Sequence, residues 1–304
     1  MQAPEILERI QRGEDSTTQF KQDMTDANRL ADEFVAFCDK RRMSPEELRR
    51  LFAESHRLFA DEEALDNSDI TDLNAEAFYT FLDRDNHDVY EDLKLGKLEL
   101  ATVLQNLGLL RDTHLTLAGN LIFGKIPSRF SPSFYVDCVN FDGDDVDVDG
   151  FIAKSTVKGS VRQQYEGGMQ FLQNNLRRVP LTTGFNAQMR LEIDESVLGE
   201  LLVNALVHRD YYIQSSVKVF VFKTRLEIIS PGKLPNSLTV EKIKSGLSVH
   251  RNPILNSVCK SVLPYSGYGS GIKRVLRLNP AVTFFNDLDK EEFRCVIPRE
   301  AVTH

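Results

Sequence analysis

The C-terminal half of the sequence alternates two hydrophobic periods, and this alternation limits the folds available to the chain. Between Phe134 and Pro298, segments with apolar residues every three or four positions alternate with segments in which every second residue is apolar. The first spacing is typical of helices packed on a core, and the second of strands. The stretch SVKVFVFKTRLEIISPG (216–232) contains two such strands, which predicts a hairpin. Blocks of helices and antiparallel strands predict an α+β sandwich.

The N-terminal half has helical patterns instead. Residues 27–39 (ANRLADEFVAFCD), 75–85 (AEAFYTFLDRD) and 97–110 (KLELATVLQNLGLL) place apolar residues at helical spacing. We therefore expect three parts: a shortened N-terminal α/β piece at 1–55, a helical segment at 56–125, and the α/β sandwich at 126–304. The helical segment could form a helix-turn-helix-like unit, which is a DNA-binding shape, or a plain helical linker.

Composition excludes several classes of protein. The hydrophobic fraction is 41% and the charged fraction 27% of 304 residues, which argues against fibrous and wholly disordered chains. No apolar run approaches the ~20 residues that span a bilayer, and the first residues lack the apolar core of a signal peptide. The four cysteines are widely spaced, with no CxxC pair. We expect a cytoplasmic protein with reduced thiols and no membrane partner.

Charge is distributed unevenly along the chain. Residues 1–150 carry 16 Lys and Arg against 32 Asp and Glu, whereas residues 151–304 carry 21 against 13. The overall net charge of -8 thus hides a basic C-terminal half. Such a half could hold the phosphates of DNA, RNA or a nucleotide, or it could dock on the acidic half.

One segment combines residues suited to nucleotide chemistry. Glu200, Asn204 and His208 are four positions apart and so share one helix face, which Arg209 follows. A carboxylate can orient a water molecule, and an amide oxygen suits Mg²⁺. A glycine-rich loop before a helix offers backbone N–H groups to phosphates. The remaining candidate binding residues are in that loop, beside it or in the hairpin: Gly232, Gly267, Gly269, Ser270, Gly271 and Lys273.

The same residues also fit a structure without a ligand. Glu200, Asn204 and His208 could form the polar side of a core helix, since Leu201, Leu202, Ala205 and Leu206 supply an apolar side. His208 could be a hydrogen-bonded structural histidine, and the loop glycines could form a tight turn. The residues alone leave both interpretations open.

The order of four motifs resembles a known family. ELLVNALVHRDY (200–211), LEIISPGKLP (226–235), SVHRNPILNSV (248–258) and GYGSGIKRV (267–275) resemble the C-terminal domain of transcriptional regulators related to RecG helicase. That domain is similar to the GHKL (Bergerat) ATPase fold of gyrase and histidine kinases. The resemblance implies that Glu200 is the catalytic general base, that Asn204 is a Mg²⁺ ligand, and that residues 265–272 form a lid over the phosphates of ATP.

Two features depart from these patterns. The GHKL motif DxGxG contacts adenine through its Asp, whereas this chain has Ser230, Pro231 and Gly232 there, followed by Lys233 and Leu234. A serine is a weaker acceptor than a carboxylate for the adenine amino group. The chain also contains no GxxxxGK[ST] motif, which argues against helicase activity.

The N-terminus resembles the start of a Schlafen-AlbA-type nucleic-acid-binding domain. The matching residues are TTQFK (17–21) and LADEFVAFCD (30–39), with Gln19 where that family usually has Glu. Most of the family's sheet is absent from this segment, which makes it a shortened version.

These observations lead to one main hypothesis and two alternatives. The first is a DNA-binding transcriptional regulator, commonly a homodimer, whose GHKL-like domain acts as a sensor or dimerisation module with an altered site for ATP and Mg²⁺. The second is an ATP-dependent enzyme of the GHKL type. The third is a scaffold that keeps the GHKL-like fold for dimerisation and binds no ligand.

Overall fold

A six-stranded mixed sheet lies at the centre of the structure, a computed structural model that describes residues 59–146, 150–181, 188–235, 238–264 and 270–299. Its strand order is β4-β3-β7-β8-β10-β9, and two short hairpins, β1–β2 and β5–β6, lie apart from it. In chain order the strands are β1 (Leu110–Arg111), β2 (His114–Leu115), β3 (Val136–Phe141), β4 (Phe151–Val157), β5 (Arg178–Pro180), β6 (Met189–Leu191), β7 (Val217–Val221), β8 (Arg225–Pro231), β9 (Thr283–Asp287) and β10 (Glu292–Pro298).

Nine α-helices occur within the described ranges. They are α1 (Ala75–Asp85), α2 (His87–Lys94), α3 (Leu100–Asn106), α4 (Leu117–Phe123), α5 (Val161–Asn175), α6 (Glu195–Val207), α7 (Val240–Lys244), α8 (Pro253–Val262) and α9 (Gly271–Leu278). None of the helices in this part of the chain is both long and apolar enough to cross a membrane.

Chain connections explain the strand directions in the sheet. β3 and β7 are parallel, and the chain between them includes α5 and α6, because a parallel pair needs a long crossover. Every other neighbouring pair in the sheet is antiparallel. The α+β sandwich predicted from the alternating periods is therefore confirmed.

The helical segment and the sheet share one hydrophobic core. Phe78 of α1 and Leu104 of α3 belong to the same buried cluster as Leu202 of α6 and Ile228 of β8. Helix α6 lies almost entirely inside the protein, and ten of its thirteen residues are buried. The predicted boundaries at residues 55 and 125, and the helix-turn-helix-like role of the helical segment, stay predictions.

Several local elements match the sequence patterns, and others do not. The β7–β8 hairpin and helix α1 occur where the periods predict them, and α5 occurs within residues 160–176, where the apolar spacing also predicts a helix. No pattern predicted α2 or β5. Strand β4 was not predicted, because residues 151–157 lie at the sheet edge, half-buried or exposed, and lack strict alternation. The apolar pattern of residues 195–211 predicts one helix as far as Tyr211, and this prediction is wrong: α6 ends at Val207.

Asn252 accounts for the end of α6. Its buried side-chain amide donates hydrogen bonds to the backbone oxygens of Val207 and Arg209, both at 2.9 Å. These bonds satisfy carbonyl groups that a terminating helix leaves without partners. They also connect the end of α6 to the start of α8, 45 residues later.

We predict that Asn252→Ala lowers the free energy of unfolding by about 1–3 kcal/mol, because two buried carbonyl oxygens lose their donor. Urea denaturation followed by circular dichroism measures the change. Asn106→Ala, at an exposed position at the end of α3, is the control and should change stability by less than about 0.5 kcal/mol. Equal effects of the two substitutions would contradict the prediction.

Candidate functional site

A cavity of about 120 Å³ lies beside the polar face of α6. Its other walls come from β8, the turn after β8, and the start of α9. Glu200, Asn204 and His208 all line it, as their four-residue spacing predicts. The structure thus brings the three residues of the predicted helix face to one site.

Glu200 is the most deeply buried charge in this cavity. Its side chain is only 2% exposed, and one carboxylate oxygen pairs with the guanidinium of Arg274 from α9. The other oxygen, Oε1, accepts a hydrogen bond of 3.0 Å from Nδ2 of Asn204. Such pairing offsets the high cost of burying a carboxylate.

Gly271 allows α9 to approach this carboxylate. A Cβ atom placed on Gly271 would lie 1.7 Å from Oε1 of Glu200, far inside van der Waals contact. Any side chain at this first residue of α9 would therefore displace Glu200 or the helix. Position 271 therefore requires glycine, because only a residue without a Cβ atom lets α9 come this close to Glu200.

Asn204 is oriented by two bonds from its amide nitrogen. Nδ2 donates to Oε1 and to the backbone oxygen of Glu200, at 3.0 and 2.8 Å. Among the described residues the amide oxygen accepts no hydrogen bond, so it is available to a ligand. An amide oxygen is a suitable ligand for Mg²⁺, so the side chain fits the predicted role.

The strand β8 and its following turn form another wall. Ser230 donates its hydroxyl hydrogen to the backbone oxygen of Ala205 at 3.0 Å, which leaves the lone pairs of Oγ as acceptors. Gly232 has φ of +103°, a conformation that favours glycine. A Cβ there would also lie 2.5 Å from Cβ of Asp210 and 2.7 Å from Nη1 of Arg251.

His208 is neutral at pH 7. Burial, together with the charges of His250 and Arg251, lowers its pKa to about 4. Its ring stacks on that of His250, with centroids 5.8 Å apart. A neutral imidazole can exchange hydrogen bonds with a ligand but adds no positive charge.

Two cations in the cavity wall provide that charge. Lys233 and Arg251 both line the cavity, and Nη2 of Arg251 donates to the backbone oxygen of Lys233 at 2.8 Å. Nε of Arg251 is 3.9 Å from Oδ2 of Asp210. These cations make the site suitable for an anionic ligand.

Three of the candidate residues lie away from the cavity. Arg209 is fully buried, with its guanidinium 4.6 Å from the ring centre of Phe134, and it donates to the carbonyls of Ile213 and Ser215. Ser270 and Lys273 are exposed and do not line the cavity. Arg209 therefore stabilises the loop after α6 instead of facing a ligand. Gly267 and Gly269 lie outside the described residues.

Arg251 lines the cavity and was not selected from the sequence, whereas the sequence indicated Arg274 only as positive charge beside the glycine-rich loop. Arg274 does not line the cavity but pairs with Glu200, which does. Arg274 lies three positions after Gly271 and so on the same side of α9, whereas Lys273 is on the exposed side. Applying the helical period from Gly271 would have selected Arg274. Arg251 comes from the loop before α8, and no local pattern relates it to α6.

Cys295 also lines the cavity and is chemically inert there. Burial raises the pKa of its thiol to about 12, so the reactive thiolate is absent at neutral pH. Cys138 and Cys259 are likewise buried free thiols, as the spacing predicts. Cys38 lies outside the described residues.

The site has too few charged ligands for a metal centre built from protein alone. Within the described ranges, no three His, Cys, Asp or Glu side chains are arranged to hold a metal ion. Mg²⁺ commonly binds through one or two protein groups together with substrate phosphates. Asn204 therefore fits a metal that arrives with a nucleotide.

Comparison with known proteins finds a family-model match, which lies within the C-terminal half. Residues 214–289 match the family model described as "Putative ATP-dependent DNA helicase recG C-terminal". This range includes Ser230, Gly232 and α9, and begins after Glu200 and Asn204. It supports the GHKL-like, ATPase-type character predicted for this domain.

The fold itself occurs in a solved structure. The crystal structure of the DIP2311 protein from Corynebacterium diphtheriae superimposes with a TM-score of 0.60 at 19% sequence identity. The match covers 83% of this chain and 51% of that one, so this chain spans about half the length of that protein. No curated protein matches the sequence.

We predict that Gly271→Ala lowers the free energy of unfolding by about 1–3 kcal/mol, because the new methyl group overlaps the buried carboxylate of Glu200. Gly143→Ala is the matched control, since a Cβ there meets nothing within 4 Å. Thermal and urea denaturation of both variants measure the difference. If Gly271→Ala is no less stable than Gly143→Ala, the close approach of α9 to Glu200 is refuted.

Proposed function

We propose that the protein binds Mg²⁺–ATP in the cavity beside α6 and uses it as a regulatory ligand. The observation that carries this proposal is the position of Glu200 and Asn204, which face one cavity together with the glycine turn after β8. The match of residues 214–289 to an ATPase-type family supports the same ligand.

The polar residues of the cavity fit a nucleotide phosphate chain. Asn204 would hold Mg²⁺ through its amide oxygen, and the metal would neutralise phosphate charge. Lys233 and Arg251 line the same cavity and favour an anion.

The base of the nucleotide would occupy the apolar part of the cavity. Leu201, Ile228 and Phe293 are among its lining residues and offer surfaces suited to a flat aromatic ring. The Oγ lone pairs of Ser230 could accept the adenine amino hydrogen, because the hydroxyl hydrogen already binds Ala205. This acceptor is weaker than a carboxylate, which favours modest affinity.

Binding is better supported than rapid hydrolysis. Both carboxylate oxygens of Glu200 already accept bonds, one from Asn204 and one from Arg274. Each oxygen keeps a second lone pair, but a general base needs one that points at the attacking water, and Arg274 occupies one on Oε2. We therefore propose that Glu200 acts as a base only after Arg274 is released, so that turnover is slow.

We predict that Mg²⁺ strengthens ATP binding to the unmodified protein but not to Asn204→Ala. The variant lacks the amide oxygen, so its affinity for ATP with Mg²⁺ should fall by about 10-fold to 100-fold. Isothermal titration calorimetry with ATP, in Mg²⁺ or in EDTA, measures both affinities. Asn106→Ala is the control for an exposed asparagine.

The outcomes of this titration are distinct. An equal gain from Mg²⁺ in both proteins would remove Asn204 from the metal site. Absence of ATP binding to the unmodified protein would overturn the proposal and favour the scaffold alternative, which light scattering would test as a ligand-free dimer.

We also propose that the chain binds DNA, as a transcriptional regulator in the cytoplasm. The support is the basic charge of residues 151–304 and the resemblance of residues 17–39 to a nucleic-acid-binding domain. Binding would depend mainly on phosphate contacts, because the sequence contains no recognisable base-reading motif. The predicted homodimer would present two such surfaces.

We predict that DNA affinity falls steeply with salt, because each phosphate contact releases a counterion. With about four contacts, the affinity should drop by about 100-fold between 50 and 200 mM salt. Fluorescence anisotropy with a labelled duplex at several salt concentrations measures the slope. A flat dependence would exclude binding through phosphates.

A further inference from the structure

We infer that Arg274 senses the terminal phosphate of the nucleotide by exchanging its partner, Glu200, for that phosphate. This inference rests on the proposed ATP site and adds the residue that regulates it. In the structure, the guanidinium of Arg274 pairs with the carboxylate of Glu200. Glu200 lines the cavity, so the pair occupies the proposed base from the cavity wall until the ligand takes the arginine.

The first support is the unequal environment of the two partners. The Glu200 side chain is 2% exposed, whereas that of Arg274 is 42% exposed. Glu200 is fixed in the core by Asn204 and by the close approach of Gly271. Arg274 is therefore the partner that can move without opening the core.

The second support is an unsatisfied donor. Nε of Arg274 is buried and makes no hydrogen bond to any described residue. A buried donor without a partner is costly, and a planar guanidinium binds phosphate through two parallel bonds. A phosphate oxygen would satisfy Nε while a second oxygen replaces the carboxylate.

The third support is charge. When Arg274 holds Glu200, the pair is neutral and the guanidinium occupies a lone pair of Oε2 that a water molecule would need. When Arg274 moves to phosphate, Glu200 keeps the hydrogen bond from Asn204, and the lone pair on Oε2 becomes available to water. The same exchange therefore recognises the ligand and releases the base.

The geometry also indicates which phosphate is recognised. The proposed base must lie next to the terminal phosphate, because that is where water attacks. Arg274 contacts the same carboxylate and so lies at the same end of the site. We expect it to distinguish ATP from ADP.

Two substitutions should have opposite effects on ATP affinity. Arg274→Gln should weaken binding of Mg²⁺–ATP by about tenfold or more, the loss of one charge-assisted contact, and should leave binding of Mg²⁺–ADP within about threefold. Glu200→Gln removes the charge that competes for Arg274 and should tighten ATP binding. If the ion pair only stabilises the fold, both variants should bind Mg²⁺–ATP more weakly than the unmodified protein, or not at all.

The test is isothermal titration calorimetry of Mg²⁺–ATP and Mg²⁺–ADP with the full chain. Arg277→Gln, an exposed arginine on the same helix, controls for the lost positive charge. Arg274→Lys should recover part of the ATP preference, and circular dichroism should confirm that each variant is folded.

An unchanged ratio of ATP to ADP affinity in Arg274→Gln would overturn the inference while leaving the ATP site intact. Absence of binding to the unmodified protein would overturn both.

Discussion

The burial of one carboxylate, that of Glu200, is the constraint on which the site depends. A charge in a protein interior costs several kcal/mol unless it is paired and hydrogen-bonded. Three parts of the chain satisfy this requirement: Asn204 on the same helix, Arg274 on α9, and Gly271, which lets α9 come close. The site is therefore arranged around a compensated charge, and a ligand must offer comparable compensation to change it.

The surrounding fold holds this arrangement by burying α6. Ten of thirteen α6 residues are inaccessible, so the helix cannot rotate to expose Glu200 without losing its core contacts. Asn252 fixes its C-terminal end through two backbone oxygens. The rigid helix presents Glu200, Asn204 and His208, while the lysine and arginine that favour an anion come from less regular segments.

The proposed exchange of Arg274 between Glu200 and a phosphate would give the site a regulatory character. If Glu200 is the general base, as proposed, its pairing with Arg274 occupies a lone pair that the attacking water would need. In such a site, ligand binding and activation are one event with one cost, the breaking of the Glu200–Arg274 pair. A regulator that reports nucleotide state needs binding more than turnover, and this geometry fits that need.

The sequence by itself determined several local elements and the helix face that lines the cavity. The alternating periods predict the β7–β8 hairpin and helices α1 and α5, and the four-residue spacing places Glu200 and Asn204 on one face, because these patterns depend on neighbours only a few residues apart. Only the tertiary structure decided that Arg274, and not Lys273, faces Glu200, and that Arg209 binds the loop after α6. It also decided that Asn252 ends α6 and that β4 adds to the sheet edge. The contacts of Arg274 and Asn252 join residues far apart in the chain. Those of Arg209 and β4 depend on how a loop and an edge strand pack, which the spacing of apolar residues does not indicate.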